Sequence, residues 1–334
     1  MAEQSASLLS RVTQIDAGAH VTAAAFLGAT PALALGDGSV ILLAEAGSKR
    51  ITVHEDGAIL VAAQAGRHLV TGGDDGRVMT IDANANCGLI ADEKGKWIDA
   101  IAAREDFSIA WSCGKEVRAR TPKGEVKSLV APSSVRGLAF TPKGYRLAIA
   151  HYNGATLWFP NAAAKPELFE WKGAHLDISL SPDGRFLVTS MQENALHGWR
   201  LSDKRNMRMT GYPTKTRSFS WSPDGHWLAT SGAQACIVWP FKDKDGPMGK
   251  APRECGVRPA RIVKVAFHPR ALVVALGYAD GLVLLCRLGD GAEILVRNPE
   301  PEAGAISALA WDDRGSRLLF GLETGVAGLL TLPG

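Results

Sequence analysis

What the 334-residue chain lacks narrows its reading first. It has no apolar run long enough to cross a bilayer as a helix. The longest, Ala271 to Cys286, is interrupted by Asp280 and falls short of the roughly 20 residues that a spanning helix needs. No basic start followed by an apolar stretch marks the N-terminus as a secretory leader, so the cytoplasm is the expected compartment. The five cysteines, Cys87, Cys113, Cys236, Cys255 and Cys286, are odd in number and scattered, with no C-x-x-C pair. They are expected as reduced, mostly buried thiols rather than as a disulfide framework. An excess of either charge is also missing: 37 Lys and Arg against 34 Asp and Glu leave +3, which gives no bulk attraction to nucleic acid.

Catalytic signatures are absent as well. The chain has no H-E-x-x-H helix, no G-x-S-x-G elbow and no Gly-rich phosphate loop between a strand and a helix. Gly72-Gly73-Asp74-Asp75-Gly76 has the glycine density of a phosphate cradle. It lies between two alternating apolar segments, however, and reads as a hairpin turn.

What is present is repetition. "HLDISLSPDGRFLVTS" from His175 and "TRSFSWSPDGHWLATS" from Thr216 are near copies, and the same pattern begins at Val21, Ile59, Ile98, Val135, Ile262 and Ile306. Successive starts lie 37 to 46 residues apart, the period of a propeller blade. Alternating apolar residues, β-branched side chains and Gly, Asp and Asn turns argue strands throughout. Each copy supplies three, and a more polar stretch such as "KRITV" from Lys49, "EVKSLV" from Glu125 or "EILVR" from Glu293 supplies a fourth. The expected fold is all-β: an eight-bladed β-propeller of four-stranded antiparallel blades forming a single domain over residues 1–334. Seven blades are the alternative, with the copy at Ile98 discarded. The last copy ends after about three strands, at "VAGLLTLPG", which leaves an unpaired edge prone to aggregate. The upstream run "SRVTQI", Ser10 to Ile15, is expected to complete it.

The SPDG turns at Ser181 to Gly184 and Ser222 to Gly225, the related TPKG at Thr141 to Gly144, "GGDDGRVMTID" from Gly72, and the strand-ending Trp158, Trp199 and Trp239 carry a resemblance. Over roughly residues 8 to 333 the sequence resembles the Trp-Asp (WD-repeat) β-propeller family. It departs from the family in lacking a usable Gly-His pair, and the Asp that follows Trp survives only as Ile81-Asp82. His54, Thr71 and Asp75, with Ile81 in the Trp position, are the nearest match to the family's hydrogen-bonded network, and their expected role is structural.

The resemblance implies a non-catalytic scaffold or adaptor that binds a protein or peptide on the top face. That face carries the residues before each first strand and the turns between second and third strands. It would hold His20, Trp97, Lys215 and Arg261, with Asp37, Asp75, Lys115, Tyr152, Asn153, Glu193, Tyr278 and Asp280 at the turns. Aromatic rings beside basic side chains are the usual material of contact hot spots. The expected contact residues are therefore Trp97, Tyr152, Tyr212, Tyr278, Lys115, Lys215 and Arg261. The insert Lys242 to Arg261, with six basic and three acidic residues, is expected as a solvated loop with a short outer strand. The alternative function is a small-ligand or metal-ion site at a channel mouth, as a sensor or a divergent propeller hydrolase. His20 and His175 would stand opposite one another in an eight-blade ring, too far apart to share an ion. No cofactor, metal, membrane or nucleic-acid partner is expected.

Overall fold

Alternating apolar residues and frequent β-branched side chains turn most of the chain into strand. The computed structural model describes residues 6–44 and 47–333, so residues 1–5, the start of the N-terminal segment read above, lie outside the described residues. Among the described residues the regular structure is 31 strands and two short 3-10 turns, Leu9–Arg11 and Pro301–Ala303, with no α-helix. The chain divides by contact into two compact units, residues 1–26 with 212–334, and residues 27–211.

Sheets follow the repeat. Residues 21–52, 59–92, 100–130 and 219–255 each form a four-stranded sheet in which neighbours in sequence are neighbours in the sheet. The strands of residues 262–297 take Ala6–Ser7 in parallel register along Glu293–Arg297, which makes five. The last copy has only Ile306–Trp311, Arg317–Leu322 and Val326–Thr331, and its fourth strand is Val12–Asp16. That strand runs antiparallel, from Val12 opposite Leu330 to Asp16 opposite Val326, as the unpaired edge required.

The blade count needs correction. Eight separate sheets were expected, and the structure has seven, because the fourth and fifth copies are joined in one six-stranded sheet. Two long elements carry the join, Leu147–Trp158 and Glu167–Leu180. Each pairs over one half with one neighbour and over the other half with the next. The copy at Ile98 is kept: Ala100–Ala103, Ile109–Cys113, Glu116–Arg120 and Val126–Val130 are its four strands.

Successive sheets meet through a recurring close approach. In three second strands a glycine lies against the β-branched residue that opens another copy: Gly72 against Ile98, Gly277 against Ile306 and Gly321 against Val21. A Cβ at Gly72 or Gly277 would stand 2.5 Å from an isoleucine methyl, inside van der Waals contact. Gly321 and Val21 bring the last copy against the first within a single unit.

The SPDG words are local turns. Ser181 Oγ donates to Asp183 Oδ1 at 2.6 Å and accepts the Phe186 amide at 2.9 Å, while Gly184 takes φ 75°. Ser222, Asp224, Trp227 and Gly225 repeat the arrangement. All their polar groups are used within the turn, which leaves them no chemistry to do.

The completing strand yields a prediction. Five register pairs join Val12–Asp16 to Val326–Thr331. Deleting residues 1–16 should cost on the order of 5 kcal/mol, at about 1 kcal/mol per backbone hydrogen bond. Urea titration would read this as a lower midpoint, and a truncated chain unfolding with the parent would remove the strand's role.

Candidate interaction surface

Hydrogen bonds place the two classes of loop on one side, as the repeat implied. The Asp74 amide donates to Ala58 O, Ile98 to Gly73 O, Val135 to Gly114 O, and Gln192 to Ala174 O. Each bond ties a turn between second and third strands to a segment that leads into a first strand. In the other unit, Ala279 N to Arg261 O and Glu323 N to Ala305 O do the same.

Three of the expected contact residues lie within residues 27–211. Trp97 and Tyr152 are 63% and 54% exposed, and Lys115 is exposed as well. Asp99, two residues after Trp97, accepts the Gly114 amide through Oδ2 at 2.6 Å, which fixes the turn that carries Lys115. Lys115 O accepts the Ala131 amide, and Ser133 Oγ accepts the Tyr152 amide at 2.8 Å. Local hydrogen bonds thus hold the loops that carry these positions, and all three residues are exposed. Tyr152 sits at a sharp bend where Asn153 and Gly154 take φ 66° and 141°, and His151 Nε2 lies 2.8 Å from Thr156 Oγ1 across the bend. Beside it Tyr152, Asn153, Glu170, Trp171 and Lys172 line an open cavity of about 470 Å3. Trp171 was missed from the sequence. It lies in an outer strand, where the copies differ most, and its ring stacks on His197 at 3.9 Å.

Two expected contact residues are corrected by burial. Tyr212 is buried, with its hydroxyl 2.7 Å from Thr230 Oγ1 and accepting from Trp239 Nε1 at 2.7 Å. Tyr278 is fully buried and donates its hydroxyl to Gly256 O. Both rings hold strands together and neither meets solvent. Lys215, half-buried, and Arg261, exposed, belong to the unit that excludes Trp97, Lys115 and Tyr152.

The set His54, Thr71 and Asp75 forms as expected. His54 Nε2 is 2.9 Å from Thr71 Oγ1, and Nδ1 is 3.0 Å from both Asp75 oxygens. The same device recurs with other rings, since His175 Nδ1 lies 2.7 Å from Thr189 Oγ1 and Tyr212 meets Thr230. A spacing signal was available: Tyr212 precedes Trp239 by 27 residues, the distance from His54 to Ile81.

Acidic turn residues are also used locally. Asp37 accepts the Ser39 amide and pairs with Arg50, and Asp280 accepts the Leu282 amide. In the basic insert Lys250 pairs with Asp243, Arg253 lies 4.4 Å over the Trp227 ring, and Arg258 holds Glu293 at 2.5 Å. Its outer strand is Arg253–Cys255.

A larger cavity of about 800 Å3 is lined by the first strands of four consecutive copies, with Ala63, Ala102, Leu138 and Ile178 among its walls. Among its charged members, Arg104 bonds Asp106 at 3.3 Å and Gly144 O at 2.6 Å. Among the described residues no group of three His, Cys, Asp or Glu side chains is arranged to hold a metal ion.

Comparisons agree with this geometry. A family model described as "WD domain, G-beta repeat" matches residues 204–239, which end on Trp239. WD repeat-containing protein 1-B of Xenopus laevis is 32% identical over 77 residues, which is 22% of this chain and 13% of that protein. The crystal structure of the computationally designed Ika8 protein superimposes with a TM-score of 0.76 at 15% identity. The match covers 95% of this chain and 98% of that one, a likeness of fold alone.

The ring networks and buried histidines give two predictions. Tyr212→Phe should leave the Trp239 indole N–H without its partner and destabilise by about 1–3 kcal/mol in urea titration. His151, His175 and His197 are all held below the ordinary histidine range by burial, His197 down to about 3, and neither His197 ring nitrogen has a hydrogen-bond partner among the described residues. Above about pH 6.5 both folded and unfolded imidazoles are neutral. As pH falls through that value the unfolded chain takes protons that the folded chain refuses, so stability declines. Unfolding at pH 7.5 and 5.5 should differ by roughly 1 kcal/mol from His197 alone, with His151 and His175 acting in the same direction, and His197→Phe should shrink the difference. A pH-independent midpoint would contradict this.

Proposed function

Because the chain is a WD-repeat β-propeller, we propose that it is a non-catalytic interaction platform that binds a protein or peptide partner. The proposal treats residues 1–334 as one working domain and places the protein in the cytoplasm. Among the described residues no helix is long and apolar enough to cross a membrane.

One observation carries the reading. Trp97 and Tyr152, two large exposed rings, and the exposed Lys115 all stand on loops held by local hydrogen bonds. A ring on a fixed backbone buries much area on contact and loses little rotamer freedom, which is why such residues dominate binding energy at interfaces. Lys115 adds a positive charge suited to an acidic or carbonyl-rich neighbour, and the cavity beside Tyr152 and Trp171 offers a slot for one side chain. Lys215 and Arg261 are further contact residues in this reading, and Tyr212 and Tyr278 are left out.

Replacing Trp97 and Tyr152 together by Ala tests it. Both are exposed, so the melting midpoint should stay that of the parent, while partner affinity should fall by at least about thirtyfold, as two hot-spot residues imply. Affinity capture from the source cells, followed by mass spectrometry, would measure the loss. Undiminished capture of every partner would place the docking site elsewhere.

A further inference from the structure

Three cysteines far apart in sequence meet in the unit that contains residues 212–334. Cys236 and Cys286 are fully buried in one apolar cluster, and the partly exposed Cys255 packs against it. Cys236 and Cys255 are direct cross-strand partners, the first of three register pairs between Cys236–Pro240 and Arg253–Cys255. Cys286 reaches the same spot from the next sheet: a Cβ on Gly256 would stand 3.5 Å from its Sγ. The Cys236 and Cys286 thiols are the neighbours that act most strongly on the Cys255 sulfur. These neighbours pull Cys255 well below the ordinary thiol range. Cys255 in turn raises Cys236 and Cys286, and burial raises these two further.

Cys255 therefore has what an exchanging thiol needs. Its surroundings favour the thiolate, a second thiol faces it directly across the strand pair, and it lies on the edge strand of its sheet, where a small molecule can approach. Directly opposed residues of an antiparallel pair have Cα atoms about 4.5–5.5 Å apart, within the about 4.4–6.8 Å that a disulfide spans. The edge strand is only three residues long, so a small closure distorts little else.

We infer that Cys255 is a thiol–disulfide exchange site for a small-molecule disulfide such as oxidised glutathione, with Cys236 as the resolving thiol. The Cys255 thiolate attacks one sulfur of the reagent, forming a mixed disulfide as the reagent's S–S bond breaks and one thiolate leaves. Cys236 then loses its proton to that thiolate and attacks Cys255 Sγ, expelling the second thiolate. Two protein thiols are oxidised to one Cys236–Cys255 bond, and one reagent disulfide is reduced to two thiols.

Cys87 is a control within the same chain. It is the exposed cysteine, but partial burial of its thiol and the neighbouring Asp82 hold that thiol above the ordinary range. The full-length native protein is treated with oxidised glutathione at neutral pH, quenched in acid and read by peptide mass spectrometry. Cys255 should be modified about tenfold faster than Cys87. A Cys236–Cys255 cross-linked peptide should follow, and C236S should accumulate glutathione on Cys255 without any cross-link. Faster modification of Cys87 than of Cys255, or no cross-link in the parent, overturns the inference. If C236S fails to fold, the two rates in the parent still decide it.

Discussion

The structure depends on how closely one sheet can approach the next, and that distance is set where a second-strand glycine faces a β-branched residue. At Gly72 with Ile98, Gly277 with Ile306 and Gly321 with Val21, the missing side chain on one sheet makes room for the branched one on the other. Packing at organic-crystal density leaves no slack for a methyl there. With the spacing fixed, the loops that leave each sheet on one side are brought within hydrogen-bonding reach of their neighbours. The loop-to-loop bonds that carry Trp97, Lys115 and Tyr152 are a consequence.

Polar groups between the strands follow the same logic. A hydroxyl on a buried second strand needs a partner, and three copies supply one with a ring from the segment before the first strand: His54 for Thr71, His175 for Thr189 and Tyr212 for Thr230. The ring type changes while the bond is kept, because any ring with a polar tip of the right reach satisfies the threonine. Buried as they are, such groups stabilise only when paired.

Much of the fold could be read in the sequence. The period gave the strands, the three-strand last copy demanded the N-terminal strand, and the SPDG words were recognisable as turns. The join between the fourth and fifth copies was not readable, because it depends on strand pairing continuing through Leu147–Trp158 and Glu167–Leu180, where no residue type announces it. Of the surface, Trp97, Lys115 and Tyr152 followed from loop position. Tyr212 and Tyr278 did not, since position in a loop says nothing of direction, and each phenol turns inward to a partner that only the folded chain supplies. The cysteine cluster was hidden for a related reason. Cys236, Cys255 and Cys286 are scattered along the chain, and register alone brings them together.

The pairing of Val12–Asp16 with Val326–Thr331 also orders events during synthesis. Val12–Asp16 is made long before its partner strand Val326–Thr331, so it finds its place only after the intervening copies have been made. While the chain is being translated, the earlier copies can assemble in turn, but residues 12–16 have no sheet to join. Emergence of Val326–Thr331 is therefore the step that lets residues 12–16 pair, and until then the nascent chain carries them as an unpaired strand.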